Sequence, residues 1–430
     1  MDILLISLVI FLILGIPIAY SLGLSAFSYF IFAHPELLQI LPQRFYSGLN
    51  VYALIALPLF ILMGLLMNQS GITARLIDFS LLFVGRFRGG LGLVNVFASM
   101  IFGGISGSSA SDTASIGAVL IPEMEKRGYP TRFAAGITVA SSTMGMIIPP
   151  SIPMVLYAII AEESVGKLFL GGLIPGVMIG VFQLGITLGI SAWKKYPKEE
   201  VNLGLQNIAY QTRRSVLALV MPVFVVGSVV FGIATATESA AIGALYAFAI
   251  GLLFLGAANI KYYLTIAVPE SFRSAIMTSA KIMIIIALSK LYVWVLALER
   301  IPQVVTGFVV AQGFPPVIML LLIVLIILIA GTFIDVSPAI MLLTPVFLPA
   351  CVAVGISPVQ FGAILITGLA VGAVTPPVGT CINVASAISG LGIGSVFRGA
   401  TPFLAANVLT LILICIFPQL TLWVPTLFLQ

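Results

Sequence analysis

Apolar stretches about as long as a bilayer is thick recur from one end of this chain to the other. Ile3 to Phe32, Leu168 to Trp193, Val216 to Ile233 and Pro316 to Ala330 with its neighbours approach or exceed the roughly 20 residues a helix needs to span hydrocarbon. Only 8% of the 430 residues are charged and 60% are hydrophobic, whereas about a quarter of a soluble domain is charged. Mean hydropathy is +1.22. These features predict an all-α polytopic membrane protein with about ten to thirteen crossings, half-crossings counted separately. No polar stretch is long enough to form a soluble domain. The first thirty-odd residues lack a basic region ahead of the apolar run and exceed a signal sequence in length, so they read as one retained transmembrane helix, with its free end outside.

The net charge of +5 comes from 19 Lys and Arg against 14 Asp and Glu. The basic residues cluster in loops such as Trp193 to Arg214, which the positive-inside rule assigns to the cytoplasm. Cys351, Cys381 and Cys415 all sit in apolar context and read as buried thiols, which excludes a disulfide framework and a thiolate metal site.

Shifted by 227 residues, the chain matches itself. Gly104 meets Gly331, Pro122 meets Pro349, Gly128 meets Gly355, Gly145 meets Gly372, Pro149 and Pro150 meet Pro376 and Pro377, Gly172 meets Gly399, and Pro175 meets Pro402. Eight such coincidences without a gap stand against roughly two by chance and make this an internal repeat. The competing explanation is that any two apolar helical segments share Gly and Pro at some offset. Paired Gly/Pro-interrupted segments in two halves point to a secondary transporter with its site at the bilayer midplane, the repeats being inverted if an odd number of crossings separates them.

At membrane depth, non-helical backbone survives only inside protein or beside a wet cavity. The segment "IIPPSIP" is therefore functional punctuation: Pro149 and Pro150 lack donors and disfavour the helix before them, freeing carbonyls around Gly145 to Ile148. Phe102 to Ser115, "FGGISGSSASDTAS", fits the tip of a re-entrant hairpin. Its counterparts are "AGTFIDVSPA", Ala330 to Ala339, and "TGLAVGAVTPPVGT", Thr367 to Thr380. Broken helices offer carbonyls to a hard cation and N–H groups to an anion, and oxygen-only ligation suits an alkali ion.

Plainer readings stand beside these. The serines at the tip would also suit close helix packing. Asp112 and Asp335 are functional candidates as intramembrane carboxylates, or they lie at wet helix ends. Glu238 reads as a first-turn carboxylate. Glu299 and Arg300 form an ordinary interface pair, or Arg300 meets an acidic substrate. An enzyme is hard to write: the single histidine, His34, excludes a His-based metal motif, and "ESVGKLF" is no P-loop, so the chain binds no ATP that way. "SGSSAS" has no histidine to act as its base.

The stretches "FASMIFGGISGSSASDTASIGAVLIPEM", "FAAGITVASSTMGMIIPPSIPMVLYA", "GIATATESAAIGALYA", "GTFIDVSPAIMLLTPVFLP" and "GLAVGAVTPPVGTCINVASAISG" closely resemble the large membrane subunit of tripartite ATP-independent periplasmic (TRAP) transporters. That resemblance spans nearly the whole chain. It implies a sodium-coupled importer of organic acids, of sialic acid or C4-dicarboxylate type, in the bacterial inner membrane. It implies an elevator-type fold, with internal inverted repeats, two re-entrant hairpins and broken helices. The expected partners are a small membrane subunit on a separate chain and a periplasmic substrate-binding protein.

By the resemblance, residues 1–90 and 193–310 are scaffold and connecting arm, while 91–192 and 311–430 are the two transport halves. One sodium site takes Ser106, Gly107, Ser108, Ser109, Thr143, Gly145 and Ile148, and the other Gly331, Thr332, Gly368, Val371, Gly372 and Val374. Asp335, Arg300, Ser337 and Asp112 are the substrate-binding candidates. The alternative to a transporter is a passive channel or a structural subunit.

Overall fold

A computed structural model describes residues 2–200 and 204–429, so residues 201–203 of the basic Trp193 to Arg214 loop lie outside the described residues. Twenty α-helices, and no strands, are found among the described residues. They are α1 (Asp2–Ile13), α2 (Ile18–Ala33), α3 (Leu41–Leu49), α4 (Ala56–Gln69), α5 (Ile72–Val84), α6 (Gly90–Ser106), α7 (Ser109–Lys126), α8 (Thr131–Ser142), α9 (Ile152–Ala161) and α10 (Val165–Lys194). There follow α11 (Leu205–Val230), α12 (Ala236–Tyr262), α13 (Val268–Leu298), α14 (Ile301–Gln312), α15 (Pro316–Phe333), α16 (Val336–Ala353), α17 (Pro358–Gly372), α18 (Thr380–Ser389), α19 (Ile393–Ile416) and α20 (Gln419–Phe428). Among the described residues, eight helical stretches are long and apolar enough to cross a membrane, and several shorter apolar helices accompany them.

The N-terminal run differs from its expectation as one spanning helix. Gly15 takes φ +77° and Pro17 precedes α2, so the run folds back into a hairpin of α1 and α2. Ser25 Oγ donates to Leu4 O at 2.6 Å, clamping the two arms. At 1.5 Å per residue, α1 is roughly 18 Å long and falls short of the bilayer core of about 30 Å. Around this hairpin Leu4, Leu22, Phe30 and Leu291 form a small separate core.

The repeat found in sequence is a repeat of helices. A shift of 227 residues carries α7, Ser109–Lys126, onto α16, Val336–Ala353, with no change in length. The same shift brings α6 within one residue of α15 and α9 within one residue of α18. In each half a helical hairpin (α6–α7, α15–α16) is followed by a helix broken at its Pro-Pro doublet (α8–α9, α17–α18). Both doublets are joined by cis bonds.

The two copies interlock. α7 packs against α18 and α16 against α9, so each hairpin meets the broken helix of the other copy as well as its own. Where α8 crosses α19, Gly136 lets backbone touch backbone: a Cβ there would lie 2.2 Å from Gly399 C. One large apolar core runs through both copies and α4, α11 and α12.

Two connections join the α6–α10 copy to the outer helices, and they are bound to each other. Gly89 N donates to Pro197 O at 2.9 Å and Glu199 N to Gly85 O at 3.2 Å, while Arg127 pairs with the buried Glu199 carboxylate.

Candidate functional site

Between the two hairpins lies a cavity of about 380 Å³. Its walls are the hairpin tips, the break segments, and Ile61, Gly64 and Ile282 of the outer helices α4 and α13. The first residues of four helices line it: Ser109 of α7, Ile152 of α9, Val336 of α16 and Thr380 of α18. Helices start here because the sequence forces restarts. Gly107 at φ +63° ends α6, Ser108 begins α7 from extended backbone, and Gly379 at φ +38° precedes α18.

The first N–H groups of a helix have no partner within it. Ser151 caps α9, its Oγ accepting from Met154 N, whereas α7, α16 and α18 carry no side-chain cap. The uncapped ends of α7, α16 and α18 and the positive ends of all four helix dipoles thus converge on one space. No Lys or Arg is among the lining residues. What such a cavity can do is hold an anion without a formal cation.

Asp335 and Ser337 both line this cavity. Asp335 is the N-cap residue of α16, yet its carboxylate caps nothing. A narrow crevice also runs from Asp335 to Gly331, Val378 and Gly379, so the same residue touches the break of the second copy. Arg300 is placed elsewhere: it stands exposed at φ +55° between α13 and α14 and is not among the lining residues.

Asp112 differs from its expected place beside substrate. It is fully buried behind the tip in the first turn of α7, and the cavity wall stops at Ser111. Ser106 Oγ donates to its Oδ1, and Oδ2 has no hydrogen-bond partner. That oxygen faces the break, since a Cβ on Gly145 would lie 2.2 Å from it. The difference is one of depth: Asp112 lies one turn into α7, past Ser111 where the cavity wall ends, and its carboxylate meets the turn Thr143–Met146 that follows α8.

The first predicted cation set is partly brought together. Ser106, Ser108 and Gly145 adjoin, and Asp112, expected at the substrate, joins them; Ser108 N donates to Ser106 Oγ at 3.1 Å, and a Cβ on Gly103 would lie 3.1 Å from the Gly145 backbone. Gly107 joins them, its carbonyl accepting from Ile152 N at 3.4 Å. Ser109 Oγ instead accepts from the Cys381 thiol at 3.1 Å, tying hairpin tip to α18. Thr143 turns its hydroxyl away, donating to Ala140 O at 2.6 Å, and the Ile148 side chain lies against Gly104 and Gly176.

In the second set Gly331 and Gly372 touch through their backbones. Thr332 O accepts from Val378 N at 3.2 Å and keeps a second lone pair, whereas Val371 O already accepts from both Val374 N and the Thr375 hydroxyl. Gly368 sits one turn earlier in α17, facing Ile327 and Leu411. Among the described residues no three His, Cys, Asp or Glu side chains gather as metal ligands, so a cation at either break has carbonyl and hydroxyl oxygens to use, with the Asp112 carboxylate beside the first break.

Glu238 takes the plain role: with Thr235 it forms a capping box at the start of α12. Tyr29 OH donates to Glu299 at 2.5 Å. Two buried amides at the centre of the fold, Gln183 and Asn407, were invisible to a search for broken helices, because each sits inside an unbroken apolar helix.

The chain is similar to known proteins over nearly its whole length. A family model described as "Tripartite ATP-independent periplasmic transporter, DctM component" matches residues 5–420. The chain is 35% identical over 405 residues to a C4-dicarboxylate TRAP transporter large permease protein of Pseudomonas aeruginosa, covering 94% of this chain and 93% of that one. It is 33% identical to a sialic acid TRAP transporter large permease protein of Vibrio cholerae, covering 96% of each. With an isethionate TRAP transporter permease protein of Oleidesulfovibrio alaskensis the identity is 31%, over 96% of this chain but 64% of the relative. The crystal structure of the Alcanivorax borkumensis YdaH transporter shares the fold, with a TM-score of 0.65 at 15% identity over 89% of this chain and 88% of the other.

Proposed function

Because the chain belongs to the tripartite ATP-independent periplasmic transporter family as a DctM component, a multi-pass permease subunit and not an enzyme, we propose that it carries an organic-acid anion across the bacterial inner membrane, driven by sodium and supplied by a periplasmic binding protein. The convergence of four helix N-termini on one 380 Å³ cavity carries this reading. Such ends attract carboxylates, and they do so without the lysine or arginine that would hold the anion too firmly for release.

The names of the relatives support an organic acid of C4-dicarboxylate or sialic acid type. The relative that is matched over only 64% of its length leaves room there for a further segment, which supports a small membrane partner for this chain. The interlocked repeats would form the moving body of an elevator, with α4 and α13 as the fixed wall across the cavity.

Sodium suits the breaks on two grounds. The donor set is all oxygen, and Asp112 Oδ2, fully buried without a partner, is an unmet negative group beside the Gly145 backbone. An ionised carboxylate at membrane depth is costly unless paired, and a cation would supply that pairing. Ser106, Ser108, Asp112 and Gly145 would hold one ion; Gly331, Thr332 and Gly372 would hold another. Asp112→Asn keeps the shape and removes the charge. It is expected to raise the sodium concentration for half-maximal uptake about tenfold, equivalent to ~1.4 kcal/mol. An unchanged sodium curve takes Asp112 out of the site.

The test of the whole reading is radiolabelled uptake into proteoliposomes containing the chain and its small partner, with sialic acid and succinate in parallel. An inward sodium gradient and the binding protein are each supplied or withheld. Uptake that requires both is the expected result. Uptake indifferent to sodium, or a non-saturable leak, would make it a passive channel.

A further inference from the structure

We infer that Asn407 is a positioning residue for the first cation site, holding the break of one repeat from a helix of the other; this rests on the sodium reading above. Asn407 lies in the middle of α19, and its Nδ2 donates to Thr143 Oγ1 at 2.7 Å. Thr143 opens the short 3₁₀ turn Thr143–Met146, which carries Gly145 and leads into the Pro149–Pro150 break. On its other side, Asn407 Oδ1 accepts from Gln183 Nε2 of α10 at 2.8 Å. Gln183 Nε2 also donates to Ala140 O at 3.0 Å, the same carbonyl that accepts from Thr143. The two amides thus grip the end of α8 at its last residues, where the helix stops being regular.

Asn407, Gln183 and Thr143 are all fully buried. Polar side chains between membrane helices often serve only as glue. Here the repeat itself argues against that role alone. At the 227-residue shift, Asn407 corresponds to Gly180, Gln183 to Thr410 and Thr143 to Ala370. The corresponding crossing in the other copy is therefore built without this network, and among the described residues the amide that reaches the break from Ala373 to Gly379 comes from its own half, Asn383 Nδ2 of α18 donating to Val378 O at 2.9 Å. A contact needed for packing would be needed twice. A contact that fixes the carbonyls of one break is needed once, on the side where Asp112 Oδ2 faces Gly145.

The test is sodium-dependent uptake by the chain with its small partner and binding protein in proteoliposomes, comparing wild type with Asn407→Ala. Loss of one buried hydrogen bond at the site predicts that half-maximal sodium rises about tenfold. Half-saturating substrate at saturating sodium stays within about twofold, since the cavity wall is not touched. Thr143→Val should shift sodium similarly, and the double variant should be no worse than Thr143→Val alone, because both act through one contact. A purely structural role would instead lower membrane levels and maximal rate while leaving half-maximal sodium in place, and that result overturns the inference. So would additive shifts in the double variant. Should Asn407→Ala fail to assemble, Gln183→Met is read by the same ratio, with a shift expected and an unchanged sodium curve again overturning it. Wild-type uptake indifferent to sodium would remove the sodium reading itself, and this inference with it; a sodium-dependent wild type with unshifted variants removes the inference alone.

Discussion

Asp335→Ala is expected to abolish uptake, by about 100-fold or more, with normal membrane insertion. The carboxylate lines the cavity, caps no helix, and borders the crevice that reaches the Gly331–Gly372 contact. It therefore stands where transported anion and break-bound cation would meet. An acid beside an anion is repulsive unless it accepts from hydroxyl or amine groups of the substrate, or shares a cation with it. A charge-assisted hydrogen bond is about twice as strong as a neutral one, and ~2.7 kcal/mol corresponds to the 100-fold loss. Asp335→Asn separates charge from shape and is expected to lose nearly as much. Uptake at wild-type rates in both variants would take Asp335 out of the mechanism.

The second large effect is expected at a residue with no side chain. A Cβ on Gly372 would fall 2.5 Å from both Cα and C of Gly331 and 2.6 Å from its carbonyl oxygen. These are backbone atoms, so no rotamer relieves the contact; α15 and α17 must move apart, and overpacking of this kind costs about 1–3 kcal/mol before any function is counted. The movement falls on the carbonyls of Gly331, Thr332 and Val371. Gly372→Ala is therefore expected to cut sodium-driven uptake by about 100-fold. Gly145→Ala meets the Asp112 carboxylate, which can swing aside, and should do less. Gly307→Ala, in α14 with nothing within 4 Å of its Cβ, is the matched control and should transport normally. Normal uptake by Gly372→Ala would mean that the close backbone approach has no part in transport.

Much of this arrangement was legible because proline and glycine act locally. The Pro149–Pro150 and Pro376–Pro377 doublets break helices wherever they occur, and the 227-residue shift between them carries α7 onto α16 without change of length. What the shift does not carry is which element meets which. The packing of α7 on α18 and α16 on α9 is a property of the assembled pair. The place of Asp112 depends on the packing of α7 against the turn that carries Gly145, and a carboxylate in a polar tip gives no sign of facing inward. Arg300 was drawn toward the substrate by its charge alone, although α13 places it outside the cavity wall. The N-terminal run was read by length, and one glycine at positive φ halved it. Asn407 and Gln183 gave no signal because a single amide within an apolar helix looks the same whether it faces lipid or a partner.

The two copies share a frame but not their acids. At the 227-residue shift Asp112 corresponds to Ala339, and Asp335 to Ser108. One copy keeps its carboxylate sealed behind the tip, and the other presents it to the cavity. If both breaks hold sodium, the two sites are unequal: one lies beside a carboxylate shut away from the cargo, the other near a carboxylate that faces it. A repeated frame would in this way give the cycle two ion sites that answer differently to the cargo.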